Sequence, residues 1–181
     1  MENYIKQTDI SGVLIIERPT FGDERGFFHE LYRKSDLDKA LGFEFLPVQT
    51  NHSRSVQNTL RGIHIAPWHK LVTVYRGSVQ QVIVDTRPES TTFGKYISVN
   101  LGEDNFKSVF IPAGLGNAFA VTSDIVDYCY LTTDYWAQGK ETYVNFADPD
   151  INIDWQVSNP IVSEADQAHP FLKDQYPEKF V

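Results

Sequence analysis

The sequence predicts an all-β fold, a sandwich or barrel carrying a few short helices. Three observations lead there: apolar and polar residues alternate with period two, the alternating runs are short, and Gly, Pro, Asn or Asp separate them. Val13-Leu14-Ile15-Ile16 is the first run and ends at Glu17-Arg18-Pro19, and Gly26–Tyr32 is a second. Leu60–Ile65 is an apolar strand interrupted by Arg61 and His64. Lys70–Tyr75 and Val79–Asp85 are joined through Arg76-Gly77-Ser78, which reads as a hairpin turn. Tyr96–Leu101, Ser108–Ile111, Asn117–Thr122, Val126–Thr132 and Thr142–Phe146 continue the series. Helix signals are few. Ser35–Gly42 offers an N-cap at Ser35, an acid three residues on and a closing Gly42, and the tail from Glu164 to Phe180 has room for a turn or two around Pro170 and Pro177. No repeat, low-complexity segment or linker divides the chain, so residues 1–181 read as one domain.

Composition narrows the function. At 181 residues, 41% hydrophobic and 13% aromatic, the chain is globular and long enough for a sizeable core. A net charge of −8 speaks against nucleic acid or an anionic membrane as partner, since phosphate contacts need clustered Lys and Arg. A small phosphorylated ligand, needing a few local cations, stays open. Cys129, the single cysteine, lies in an apolar run and reads as a small core residue. Met1–Lys6 lacks the apolar core of a signal peptide and no run is long enough to span a bilayer, so a cytoplasmic location is expected.

Several residues carry chemistry. Alone, His64 reads as a structural histidine satisfied by a backbone carbonyl. Arg61, Gly62 and Lys70 in the same stretch add two cations and a close backbone approach, and favour a proton-transfer site. Tyr128 and Tyr130 share one strand face and Cys129 takes the other. Buried tyrosines often only fill space, so Tyr130 and Tyr135 gain meaning from their neighbours. Asp166 sits in a polar stretch and matters if the fold brings it to His64, where it would fix the imidazole tautomer. Phe21–Glu30 mixes aromatic, guanidinium and carboxylate groups suited to a nucleotide, although a turn with ordinary surface charges reads equally well. A metal is not expected. His64 and His69 are five residues apart, and Asn117 stands where a late histidine ligand would be sought.

These segments together resemble the dTDP-4-dehydrorhamnose 3,5-epimerase family, from nearly the first strand to Asp166. The matching residues run in order: Phe21-x-Asp23-Glu24-Arg25-Gly26-Phe27-Phe28, Val48-Gln49-x-Asn51-His52-Ser53, Leu60-Arg61-Gly62-Ile63-His64 and Lys70-Leu71-Val72. They continue through Val84-Asp85-x-Arg87-x-x-Ser90-x-Thr92-Phe93-Gly94, Ile111-Pro112-x-Gly114, Tyr130-x-x-Thr133-x-Tyr135, Asp148-Pro149, Ile153-Asp154-Trp155 and Ser163-x-x-Asp166. The resemblance implies a jelly-roll, cupin-like barrel without metal or other cofactor, assembled as a homodimer that exchanges N-terminal strands. It implies a nucleoside-diphosphate 4-keto-6-deoxy sugar as substrate. His64 would be the base polarised by Asp166, Tyr130 the acid on the opposite face, and Lys70 the cation beside the enolate oxygen. Arg61, Gln49, Asn51, Tyr135 and Glu141 would bind sugar or diphosphate, and Arg25, Glu30 and Phe21 the nucleotide. Asn117, also carried over as a substrate-binding position, replaces the histidine of the usual Gly-Phe-Ala-His-Gly-Phe.

A second departure is the short segment Ile65–His69 between His64 and Lys70, where most members have several more residues. Both features resemble a divergent branch with other sugars, 4-keto heptoses included. The chemistry expected is inversion at C3, C5 or both. The ketone acidifies its neighbouring C–H bonds, and inversion needs a base on one face and an acid on the other. Two rivals are a 3,4-ketoisomerase on a similar barrel and a nucleotide-sugar-binding barrel without catalysis.

Overall fold

The computed structural model describes residues 4–180. Two antiparallel sheets face each other across a shared core. In spatial order, β1 (Ile5–Gln7), β2 (Leu14–Ile16), β10 (Ser108–Ile111), β7 (Lys70–Arg76), β12 (Ile125–Thr132) and β5 (Gln49–Val56) form a six-stranded sheet. Opposite it lie β13 (Thr142–Tyr143), β6 (Leu60–Ile65), β11 (Gly116–Val121), β8 (Ser78–Val84) and β9 (Tyr96–Gly102). This is the expected jelly-roll barrel. A separate hairpin arm pairs β3 (Thr20–Asp23) with β4 (Gly26–His29).

Alternation decides what fills the space between the sheets. Val72 and Val74 of β7, Val79 and Ile83 of β8, Val109 and Ile111 of β10, Phe119 and Val121 of β11, and Val126 and Tyr128 of β12 form one buried cluster. The outer face of the six-stranded sheet is covered by α1 (Lys34–Leu41) and Phe45, through Leu37, Leu14, Ile16, Leu71 and Phe110. On the outer face of the five-stranded sheet, Ile63, Val82 and Ala118 pack with Val144, Ile151 and Leu172 from the C-terminal third. That packing holds α2 (Glu164–Gln167) beside β6.

Several expectations need correction. β7 and β8 are not a hairpin: β7 pairs with β10 and β12, β8 with β9 and β11. Gly77 turns the chain from one sheet to the other with φ +74°, and a Cβ there would sit 2.0 Å from the Ile125 carbonyl oxygen. Ser35 is not the N-cap of α1. Arg33 holds that place in extended conformation with no side-chain cap, and the closing Gly42 is left-handed as expected. The acid Asp38 instead accepts from the Phe45 N–H at 2.8 Å and pairs with Lys34. The second strand stops at His29, where the arm ends, and β13 has two residues, although Val144 and Ile63 still exchange backbone hydrogen bonds. The C-terminal tail holds α2, α3 (Leu172–Gln175) and a 3-10 turn at Pro177–Lys179.

Candidate active site

The site lies on the inner face of the barrel, where β6, β11, β12 and β5 present polar side chains. Strict alternation would send Arg61 and His64, three residues apart, to opposite faces of β6. A register shift corrects this: Asn117 of β11 faces His64 and Phe119 faces Arg61, so three steps along β6 match two along β11. Paired residues point to the same side, so the bulge brings both to the inner face. Gly62 makes it feasible. Its φ is +125°, and a Cβ would lie 2.5 Å from the Ala118 Cβ and 2.8 Å from the Asn117 carbonyl oxygen.

His64 is held by Asp166, not by a backbone carbonyl. Its Nε2 lies 2.9 Å from Asp166 Oδ1, and the Gly62 N–H reaches Asp166 Oδ2 at 3.4 Å. Ser163 caps α2 by accepting the Asp166 N–H at 3.1 Å, which fixes where the carboxylate points. Burial alone would raise Asp166, yet the hydrogen bonds from His64, Gly62 and His169 draw it below the usual carboxylate range. The ionised carboxylate only accepts, so His64 carries its proton on Nε2 and keeps a lone pair on Nδ1. That nitrogen is left free to accept a proton.

Two residues beside His64 carried no signal in the sequence. His169 Nε2 donates to the same Asp166 Oδ1 at 3.1 Å. Tyr143 stacks on His169 with centroids 4.4 Å apart and meets His64 edge-on at 5.4 Å. The His169 spacing of three after Asp166 is the one feature that could have pointed to it. The donor atoms of His64, Asp166 and His169 lie within 4.8 Å of one another, close enough for a metal ion. Two imidazole protons sharing one carboxylate oxygen account for the same geometry without one.

A second group faces this dyad. Lys70, 5% exposed, has its Nζ 3.4 Å from Glu141 Oε1 and 5.8 Å from the Tyr130 ring centroid. Burial pushes the Lys70 ammonium below the ordinary lysine range, with Glu141 opposing. Burial pushes the Tyr130 phenol up, Glu141 adds to the rise, and Arg61 moderates it. Arg61 Nε donates to Ser55 Oγ at 3.1 Å on β5. Asn51 stands opposite Tyr130 in register, and Gln49 Nε2 donates to Asn51 Oδ1 at 2.7 Å. Gln49 and Glu141 also hold Trp136, through its backbone N–H at 3.1 Å and its indole N–H at 3.3 Å. Tyr135 is 63% exposed at the rim beside it. Asn117 completes the inner face next to His64. The segment after His64 is anchored rather than loose: Ala66 and Trp68 are buried, and His69 lies between Phe43 and Phe110 with centroids at 5.1 and 5.5 Å.

The nucleotide candidates lie elsewhere. Phe21 and Arg25 are on the β3–β4 arm, where Arg25 pairs with Asp23, and Glu30 follows it, paired with Arg33 at 2.9 Å and Arg18 at 2.5 Å. Phe21 and Glu30 line a cleft of about 310 Å³ with Tyr4, Arg18, Phe28 and Arg33. Among the described residues, no hydrogen bond, ion pair or ring contact joins Phe21, Arg25 or Glu30 to the cluster around His64.

This arrangement pairs a carboxylate-held histidine with a buried lysine and a protonated tyrosine. The family model for dTDP-4-dehydrorhamnose 3,5-epimerase matches residues 7–174. The chain belongs to that family. A dTDP-4-dehydrorhamnose 3,5-epimerase of Shigella flexneri is 41% identical over 168 residues, covering 91% of this chain and 92% of the relative. That of Escherichia coli (strain K12) is 42% identical over 166 residues, covering 89% and 90%. Among solved structures, NovW, a 4-keto-6-deoxy sugar epimerase from the novobiocin cluster of Streptomyces spheroides, superimposes with TM-score 0.93 at 30% identity, covering 98% of this chain and 91% of that one. A dTDP-6-deoxy-D-glucose-3,5-epimerase of Legionella pneumophila Philadelphia 1, in complex with dTDP-4-keto-L-rhamnose, reaches 0.88 at 37% identity, covering 93% and 92%. As a member of the epimerase family, the protein is an isomerase acting on nucleotide-linked sugars.

Proposed function

We propose that the protein inverts C3, C5 or both of a nucleoside-diphosphate 4-keto-6-deoxy sugar, through an enolate and without a cofactor. The observation that carries this is the His64–Asp166 pair on the same inner face as Tyr130 and Lys70. His64 Nδ1 removes the proton next to the ketone, and Asp166 stabilises the imidazolium that forms. Lys70 places its ammonium at the developing enolate oxygen, in a buried setting where such a charge counts most. Tyr130, kept protonated by burial, returns a proton to the opposite face. Arg61, Gln49, Asn51, Tyr135, Glu141 and Asn117 bind sugar and diphosphate.

The arm is part of the same proposal. Phe21, Phe27 and Phe28 are 63, 60 and 68% exposed, an apolar surface that favours cover by another chain. Exchange of the N-terminal strands in a homodimer would carry Phe21, Arg25 and Glu30 to a partner's site, where they hold the nucleotide. A cytoplasmic location belongs to this reading. Among the described residues, no helix is long and apolar enough to cross a membrane.

Incubation with dTDP-, GDP-, UDP- and CDP-linked 4-keto sugars in D₂O tests it. Deuterium is expected at C3 or C5 with the ketone still at C4. A product with the ketone at C3 would instead identify a ketoisomerase. Nucleotide binding without exchange, unaffected by His64→Ala, would identify a binding protein.

A further inference from the structure

Asn117 does not stand alone on the inner face. Tyr128, 1% exposed, donates its hydroxyl to Gln81 Oε1 at 2.8 Å. Gln81 is fully buried, and its Nε2 lies 3.0 Å from the Ala118 carbonyl oxygen and 3.1 Å from that of Val82. Two carbonyl neighbours leave no choice for this amide: the nitrogen faces them and the oxygen faces Tyr128. The same Nε2 lies 2.6 Å from the Asn117 side chain, which must therefore present its oxygen. Asn117 Nδ2 is then the atom left over. It has no partner among the described residues and is not among the sealed polar atoms without one. Asn117 and His64 are paired in register, so this donor lies beside the catalytic base.

We propose that Tyr128 and Gln81 are positioning residues that lock Asn117 as a hydrogen-bond donor to a sugar oxygen on the His64 side of the substrate. The inference rests on the nucleotide-sugar reading above and adds how Asn117 is held. Burial, with Tyr130 adding to it, holds the Tyr128 phenol protonated far above the physiological range, so the start of the relay never loses its proton. Gln81 and Asn117 do not titrate. The donor therefore keeps one orientation at every pH at which the enzyme works, whereas an imidazole there would change its charge near pH 6.5, roughly. The site selects sugars that offer an oxygen acceptor at that place and disfavours the deoxy analogue, because the donor would lose its water without gaining a partner.

The test measures the affinity of non-reacting dTDP-glucose by calorimetry, with solvent-deuterium exchange on a 4-keto substrate as the second readout. Asn117→Asp keeps the shape and the contact to Gln81 but turns an acceptor toward the sugar, and is expected to weaken binding at least roughly tenfold. Gln81→Glu removes the donor that orients Asn117, so its effect should be similar and should vanish in an Asn117→Ala background. Asn117→His should bind with an affinity that varies between pH 5.5 and 7.5, about one unit either side of an ordinary imidazole, where the wild-type affinity varies less. Wild-type affinity in Asn117→Asp, or equal and additive losses from Gln81→Glu with and without Asn117, would overturn the proposal. Weakened binding in Asn117→Asp beside a wild type that exchanges no deuterium would uphold the donor and sink the epimerase reading instead.

Discussion

At Asp166 a single carboxylate gathers three hydrogen bonds around His64. It accepts from His64, His169 and the Gly62 backbone, and so keeps His64, the base of the proposed reaction, in one tautomer with Nδ1 free. Asp166→Asn would present an amide in its place and let His64 turn or take the wrong tautomer. Deuterium exchange should fall by roughly 10²–10⁴ with nucleotide affinity little changed. An exchange rate within threefold of wild type would remove Asp166 from the mechanism. Lys70 sets a second expectation. Burial disfavours its ammonium, so it loses its proton at lower pH than an exposed lysine, and activity should decline on the alkaline side through that pH. Lys70→Arg keeps a cation that does not deprotonate, and the alkaline limb of kcat/KM should move up whatever its height. An unmoved limb would assign it to another group. Cys129, by contrast, is 5% exposed and burial pushes its thiol up, as befits a core residue.

At the scale of elements, one device places the site and another holds the fold. Gly62 is the pivot of the bulge in β6, and Gly62→Ala adds a methyl that meets Ala118 at a left-handed backbone position. A loss of more than about 2 kcal/mol in urea unfolding is expected, together with loss of exchange, because Arg61 and His64 lose their common face. The other device is the turn after β8. Asp85, fully buried, accepts from Arg87 Nε and Nη2 at 2.8 and 2.7 Å and from Ser90 and Thr92 hydroxyls, both at 2.6 Å. This explains the spacing Asp85-x-Arg87-x-x-Ser90-x-Thr92 as structural. Burial opposes ionisation, yet these donors hold its pKa down to about 2. A folded value below the unfolded one stabilises the protein above about pH 4 and loses that contribution as pH falls toward 2. Asp85→Asn should cost about 2 kcal/mol at pH 7, and the difference from wild type should shrink on acidification. A difference independent of pH would separate its role from its charge.

For the whole molecule, the unsolved distance is between the arm and the barrel. Phe21, Arg25 and Glu30 do not meet the His64 cluster within one chain, although all were expected at one substrate. The proposed strand exchange between two chains would reconcile the two. The expected outcome is a dimer by sedimentation, and Phe27→Ser with Phe28→Ser should weaken both dimer and nucleotide binding together. A wild-type monomer with full activity would place the nucleotide elsewhere.

The all-β class and the Tyr128/Tyr130 face were readable in the residues, since alternation and side-chain type are local properties, whereas the pairing of Asp166 with His64 came from the resemblance. Resemblance supplied the order of motifs. β5 escaped notice because Gln49–Val56 is polar on both faces: one faces the ligand cavity and the other lies at a sheet edge, so no hydrophobic pattern marks it. The hairpin expected at Gly77 failed for a related reason, since a tight turn looks the same whether its strands pair with each other or with distant ones. His169, Tyr143 and the relay through Gln81 came from the fold alone. Sequence determined which groups the protein owns and how its strands alternate. Tertiary structure decided which of them share a face, because a one-residue shift in register moves a side chain from the cavity to the opposite side of the sheet.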